Sequence, residues 1–168
     1  MRSVTTIKHT LTTLFKSLFL LVLVGGFFAS SALAESQINP ARAKFNYQLF
    51  CQGCHVGDGR GGKDVPNFIG FVGNFLKTDK GREYLLRVPG SANSAVNDEK
   101  LAELMNWIIL EFGEQSVPKD FRYYTAEEVG RIRKSPLMEV VEYRKAIIQD
   151  LKDKYLVTPK YKSDENLK

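Results

Sequence analysis

Few residues in this chain can do redox or metal chemistry, and most of them stand together: Cys51-Gln52-Gly53-Cys54-His55. These are the only two cysteines, and the only other histidine is His9. Two thiols three positions apart on a turn of helix reach the two vinyl groups on one edge of a porphyrin. The next imidazole then swings under the iron as the proximal ligand. On this reading Cys51 and Cys54 hold one covalent haem c by thioethers and neither is left for a disulfide. His55 ligates iron as neutral imidazole, its other ring nitrogen held by a backbone carbonyl. A thioredoxin-like redox pair would open a helix after a strand, and no βαβ pattern surrounds the motif. A zinc site wants about four ligands, and there is no second Cys or His cluster to supply them. Haem attachment is the stronger reading.

The elements that must position this group are helical. Pro40 to Phe50 reads as a first helix, with Pro40 at its start and Ala43, Tyr47 and Phe50 recurring on one side. Tyr47 stands four residues before Cys51, so it shares a face with the attachment turn. After His55 comes Gly57-Asp58-Gly59-Arg60-Gly61-Gly62. It has no Lys-Ser/Thr ending and no preceding strand, so it is not a phosphate loop. A tight loop passing close to a porphyrin edge accounts for it better. Pro66 is either a loop proline or the residue that aims a carbonyl at the proximal histidine. Asn97 to Phe112 reads as a closing helix, with Asn97 at the N-cap, Asp98 and Glu99 in the first turn, and an apolar stripe of Leu101, Leu104, Met105, Ile108 and Phe112. Strand-type alternation is scarce, so the expected fold class is all-α.

From about Ala43 to Phe112 the sequence resembles a class I c-type cytochrome: an aromatic first helix, Cys-x-x-Cys-His, a glycine-rich loop, a proline and a closing helix with an aromatic at Trp107. The resemblance implies a small helical bundle around one haem, a protein that carries single electrons rather than an enzyme, and assembly of the haem outside the cytoplasmic membrane. It also implies a methionine as sixth iron ligand shortly before the closing helix. With Trp107 set against the family's aromatic, that register falls near Ser91, in Val88-Pro89-Gly90-Ser91-Ala92-Asn93, where there is no methionine. Three substitutes are open. Met105 has a suitable separation from His55, but it sits on the core stripe, where methionine usually fills space. Met138 could fold back over the haem as a distal ligand. Asn93, or a water held by Ser91 or Asn93, could cover the iron weakly or leave it open. Tyr123, Tyr124 and the lysines are further donors with nothing to single them out. Axial-ligand identity governs both haem potential and small-molecule binding.

Met1 to Ala34 has the form of an export signal: Arg2, Lys8 and Lys16, an apolar run from Leu18 to Phe28, and Ala32-Leu33-Ala34 before an expected cut. The alternative is an uncleaved anchor, since Ser17 to Ala34 is uncharged and 18 residues long, at the short end of the ~17–25 needed to span a bilayer. The whole chain carries 24 basic and 19 acidic residues; the segment after Ala34 keeps 21 and 19, close to neutral. Nothing here suits nucleic acid, which wants a persistent basic face.

The expected organisation is thus a signal peptide at 1–34, a haem domain at 35–113 and a helical extension at 114–168. In the extension Thr125-Ala126-Glu127-Glu128 forms a capping box. Ser135-Pro136 is expected to open a second helix with Leu137, Val141, Ile148, Leu151 and Tyr155 on one face, packed on the body or on a partner. The expected setting is the periplasm and the expected partners are redox proteins there, a dehydrogenase, an oxidase or another cytochrome. The rival function, if the distal site is open, is binding of a gas or peroxide. For that purpose Arg60, Arg82 and Arg87 are the candidate distal donors.

Overall fold

The first helix, α1 (Pro40–Phe50), begins where the sequence signals it. Asn39 accepts the Arg42 amide through its side chain and Pro40 takes the first helical position. In this computed structural model, which describes residues 38–155, the architecture is all-α and no strand occurs among the described residues. The export-signal reading of Met1 to Ala34 and the polar end from Lys160 lie outside them. None of the described helices is long and apolar enough to cross a membrane.

A single helical turn, α2 (Gln52–His55), follows α1 directly. After the glycine loop come a 3₁₀ stretch (Val72–Lys77), α3 (Asp79–Arg87) and the short α4 (Pro89–Ala92). The sequence reading did not anticipate these three. Thr78 caps α3 by accepting the Gly81 amide, and Gly81 itself must lack a Cβ, which would run into the Phe75 carbonyl. The closing helix is α5 (Asp98–Phe112), capped by Asn97, whose side chain accepts the Lys100 amide. It crosses α1 and is clasped to it by Glu103. This carboxylate takes the Arg42 Nε and Nη2 at 2.7 Å each and the Asn39 amide at 2.8 Å.

The remaining two helices are α6 (Ala126–Ile132) and α7 (Val140–Tyr155). They pack on the body: α6 on α5 and α3, α7 on the 3₁₀ stretch and α3. Thr125 accepts the Glu128 amide as a capping box requires, but the Glu128 carboxylate goes elsewhere, to Arg82 on α3 at 2.6 and 2.7 Å. Arg82 also lies over the Tyr124 ring at 3.9 Å. Tyr124 in turn donates its hydroxyl to the Arg82 carbonyl and exchanges backbone–side-chain hydrogen bonds with the fully buried Asn106 of α5. The second extension helix starts later than expected. Leu137 donates its amide to the Arg87 carbonyl, which holds Ser135 to Leu137 out of helix, and α7 begins at Val140. Its buried face is Ile147, Ile148 and Leu151; Val141 and Tyr155, expected on that face, are exposed.

Burial alone would raise the Glu128 carboxyl, but hydrogen bonds and charge from Arg82, with Arg122 and Arg131 nearby, hold it below the ordinary glutamate range. A carboxyl depressed in the folded state contributes stability above its unfolded pKa and loses it as pH falls through the folded one. The melting temperature is therefore expected to fall as pH drops below about 4.5. In Glu128→Gln that fall is expected to be shallower, with a lower melting temperature at pH 7, as thermal denaturation followed by circular dichroism will read.

Candidate functional site

Cys51 closes α1, its amide donating to the Tyr47 carbonyl, and the chain turns straight into α2. The Cys54 and His55 amides both return to the Cys51 carbonyl, at 3.2 and 3.0 Å. This gathers the two sulfurs and the imidazole onto one turn. Both thiols are free, Cys51 half-buried and Cys54 exposed. Burial, with the neighbouring Cys54, pushes the Cys51 thiol up to about 11, so it is a protonated thiol at neutral pH.

The His55 ring stacks on Phe68 with centroids 3.9 Å apart and planes 18° from parallel. Its Nδ1 is buried and has no partner in hydrogen-bond geometry. Burial lowers the ring's pKa, and the Pro66 carbonyl, close to the ring, opposes that shift. Phe68 continues into Phe112 of α5 at 6.1 Å, and Phe112 into Tyr47 at 5.3 Å and Trp107 at 5.6 Å. The Tyr47 hydroxyl donates to the Val56 carbonyl at 2.5 Å, tying α1 to the residue that follows His55.

The glycine loop folds back onto the same turn. Gly61 and Gly62 donate their amides to the His55 and Cys54 carbonyls, both at 3.0 Å, and Phe68 donates to Gly59. Gly59 and Gly61 have φ of +78°, a region that disfavours any side chain. A Cβ at Gly61 would meet the Val65 carbonyl, and one at Gly59 would sit 2.9 Å from the Phe112 ring. The sequence did not mark Phe68, because nothing local distinguishes an aromatic two residues past a proline from ordinary core.

The proposed distal residues are scattered. Ser91 lies on α4 with its hydroxyl 3.9 Å from the Met105 sulfur, and Met105 is buried on the α5 stripe two turns from Phe112. Met138 stands before α7 with 88% of its surface exposed. Asn93 is exposed after α4, and Tyr124 is committed to Arg82 and Asn106. The three candidate arginines are all engaged: Arg60 with Asp58, Arg82 with Glu128, and Arg87 with the Ser135 carbonyl.

No family model matches the chain, and no solved structure does. Two cytochromes c-552 of Thermus thermophilus are similar to it, each 30% identical over 118 residues, spanning 58% of this chain and 90% or 80% of the relative. The chain belongs to the c-type cytochromes, haem proteins of electron transfer.

The loop geometry separates two glycines a few residues apart. Gly61→Ala is expected to destabilise the protein by about 2 kcal/mol or more through positive φ and a backbone clash. Gly53→Ala, which meets nothing within 4 Å, is expected to be neutral. Urea unfolding of the two variants will read the difference.

Proposed function

We propose that the chain is an exported, periplasmic, class I monohaem cytochrome that passes single electrons between redox proteins. In this reading the haem is attached at Cys51 and Cys54, with His55 as proximal ligand. The observation that carries it is the gathering of two free thiols and one imidazole on a single turn, with the imidazole beside the Pro66 carbonyl. A ligand histidine directs one ring nitrogen to such a carbonyl and keeps the other for iron, the part Pro66 would play here. The donor set therefore fits a covalent haem. When bound, the haem supplies a one-electron couple.

The chain's own part follows from the same geometry. Phe68 fixes the plane of the His55 ring, and the glycine loop leaves no side chain between that turn and its neighbours. Phe45, Leu49 and Phe50 of α1 and Val56 after the turn are exposed apolar side chains, the first two nearly 60% exposed. The partners of this reading are periplasmic redox proteins, a dehydrogenase, an oxidase or another cytochrome, met through small, transient contacts. The proposed organisation is a signal peptide at 1–34 cut after Ala34, a haem domain at 35–113, and an extension at 114–168 that serves it.

From the register that the resemblance implies, we assign the Val88 to Asn97 segment as the cover of the iron; it carries no methionine, and its Ser91 hydroxyl lies 3.9 Å from the Met105 sulfur of α5. That favours a weakly ligated iron, and with it a second reading in which the haem binds a small gas. Peroxidase-like chemistry has less support, because the arginines that would assist it are engaged elsewhere.

Absorption spectra of oxidised and reduced protein, with and without carbon monoxide, test both readings. A spectrum that shifts with carbon monoxide is the expected result. A low-spin spectrum unmoved by it would support a firm sixth ligand and a carrier role alone. Met138→Ala is expected to leave every spectrum unchanged, in keeping with its exposure, and a changed spectrum would assign it to the iron. Cys51→Ala combined with Cys54→Ala is expected to abolish haem that survives denaturing electrophoresis, and persistence of that haem would defeat the attachment.

A further inference from the structure

Arg133, which ends α6, is largely buried and spends its whole guanidinium on one short segment of the main chain. Nε donates to the Ala92 carbonyl at 3.1 Å, Nη2 to the Ser94 carbonyl, and Nη1 to the Val96 carbonyl at 2.8 Å and to the Asp98 carboxylate at 3.2 Å. Three alternate carbonyls thus converge on one cation, with a carboxylate closing the ring. Such a convergence of acceptors holds only while the donor fork is between them, since each carbonyl would otherwise face the others unpaired. A guanidinium has five donors in a planar fork; an ammonium has three on a point and cannot span the same set.

The other end of the segment is fastened by the same stretch of extension. Leu137 donates its amide to the Arg87 carbonyl at 2.9 Å, and Arg87 Nε donates to the Ser135 carbonyl at 2.8 Å. Gly130, one turn before Arg133, lets α6 approach closely, because a Cβ there would meet the Asp98 carboxylate. Everything from Val88 to Asp98 is therefore held between two ties to residues 133–137, and Ser91 with its Met105 neighbour lies in the middle.

We infer that Arg133 is the positioning residue of the distal haem face: by gathering the 92, 94 and 96 carbonyls it fixes the Ser91 segment and so sets how readily a ligand reaches the iron. The inference rests on the haem attachment and distal assignment proposed above. It gives the extension a role beyond added core, as the outer brace of a segment that carries no methionine of its own.

The test uses the haem-loaded full chain with Arg133→Met, Arg133→Lys and Asp98→Asn. Three quantities are read: covalent haem content, the association rate of carbon monoxide with the reduced protein, and hydrogen exchange of amides 91–98. Haem content is expected to stay at the wild-type level, because the attachment turn is untouched. Exchange across 91–98 is expected to quicken while α1 keeps its protection. Carbon monoxide association is expected to rise about tenfold in Arg133→Met, with Arg133→Lys between it and wild type and Asp98→Asn showing a smaller change in the same direction. A lower melting temperature with an unchanged carbon monoxide rate in all three would make Arg133 merely structural and overturn the inference. If Arg133→Met does not fold, Arg133→Lys and Asp98→Asn decide by the same criterion. Wild-type protein without covalent haem would defeat the functional reading first, and the inference with it. That outcome is separately visible in the haem content.

Discussion

The rest of the structure depends on a column of packed rings. His55 stacks on Phe68, Phe68 meets Phe112, and Phe112 meets Tyr47 and Trp107, so one line of aromatics joins the Cys51 to His55 turn to the crossing of α1 and α5. Large side chains are needed because the turn itself buries almost nothing: α2 has no buried residue. Its orientation is borrowed from the core through Phe68 and through the Tyr47 hydroxyl on the Val56 carbonyl. The glycine loop is a corollary. With aromatic rings on one side and main-chain amides on the other, the loop must pass with φ values and clearances that a side chain would spoil.

Around this column, cations hold the helices in place. Arg42 with Glu103 clasps α1 to α5, Arg82 with Glu128 and Tyr124 clasps α3 to α6, and Arg133 clasps α6 to the segment before α5. Each of the more buried pair, Arg82 and Arg133, also reaches backbone carbonyls, which explains how their charges are tolerated away from water. The extension is thus bound by directional hydrogen bonds as well as by Ile147, Ile148 and Leu151.

What the sequence revealed follows the range of each interaction. The starts of α1 and α5 were legible because Pro40 and Asn97 are local signals, and the helical class was legible from periodicity. The helical turn at Cys-x-x-Cys-His was legible because the motif's spacing asks for one. The 3₁₀ stretch and α3 were missed, although the Thr78 cap and the apolar Tyr84, Leu85 and Leu86 of α3 are local signals; the approach of Gly81 to the Phe75 carbonyl, which joins the two, shows only in the fold. The start of α7 was set too early, because a long-range hydrogen bond to Arg87 overrides the helix-opening signal of Ser135-Pro136. Phe68 and Arg133 stayed invisible for the same reason: each acts on residues that only the fold brings near, and Arg133 lies 35 to 41 positions from its acceptors.

The long sequence separation of these clasps has a consequence for how the chain tolerates change. Arg42 finds Glu103 across 61 positions and Arg82 finds Glu128 across 46. The entropy of closing a loop grows only logarithmically with its length, about 0.6 kcal/mol per doubling. Residues gained or lost between two clasped points therefore change the closure cost little, provided the clasped groups remain. Such a chain can gain or lose residues between its ties and keep the same helices in the same order. Its connections are then free to drift in length where helices and their ties are not.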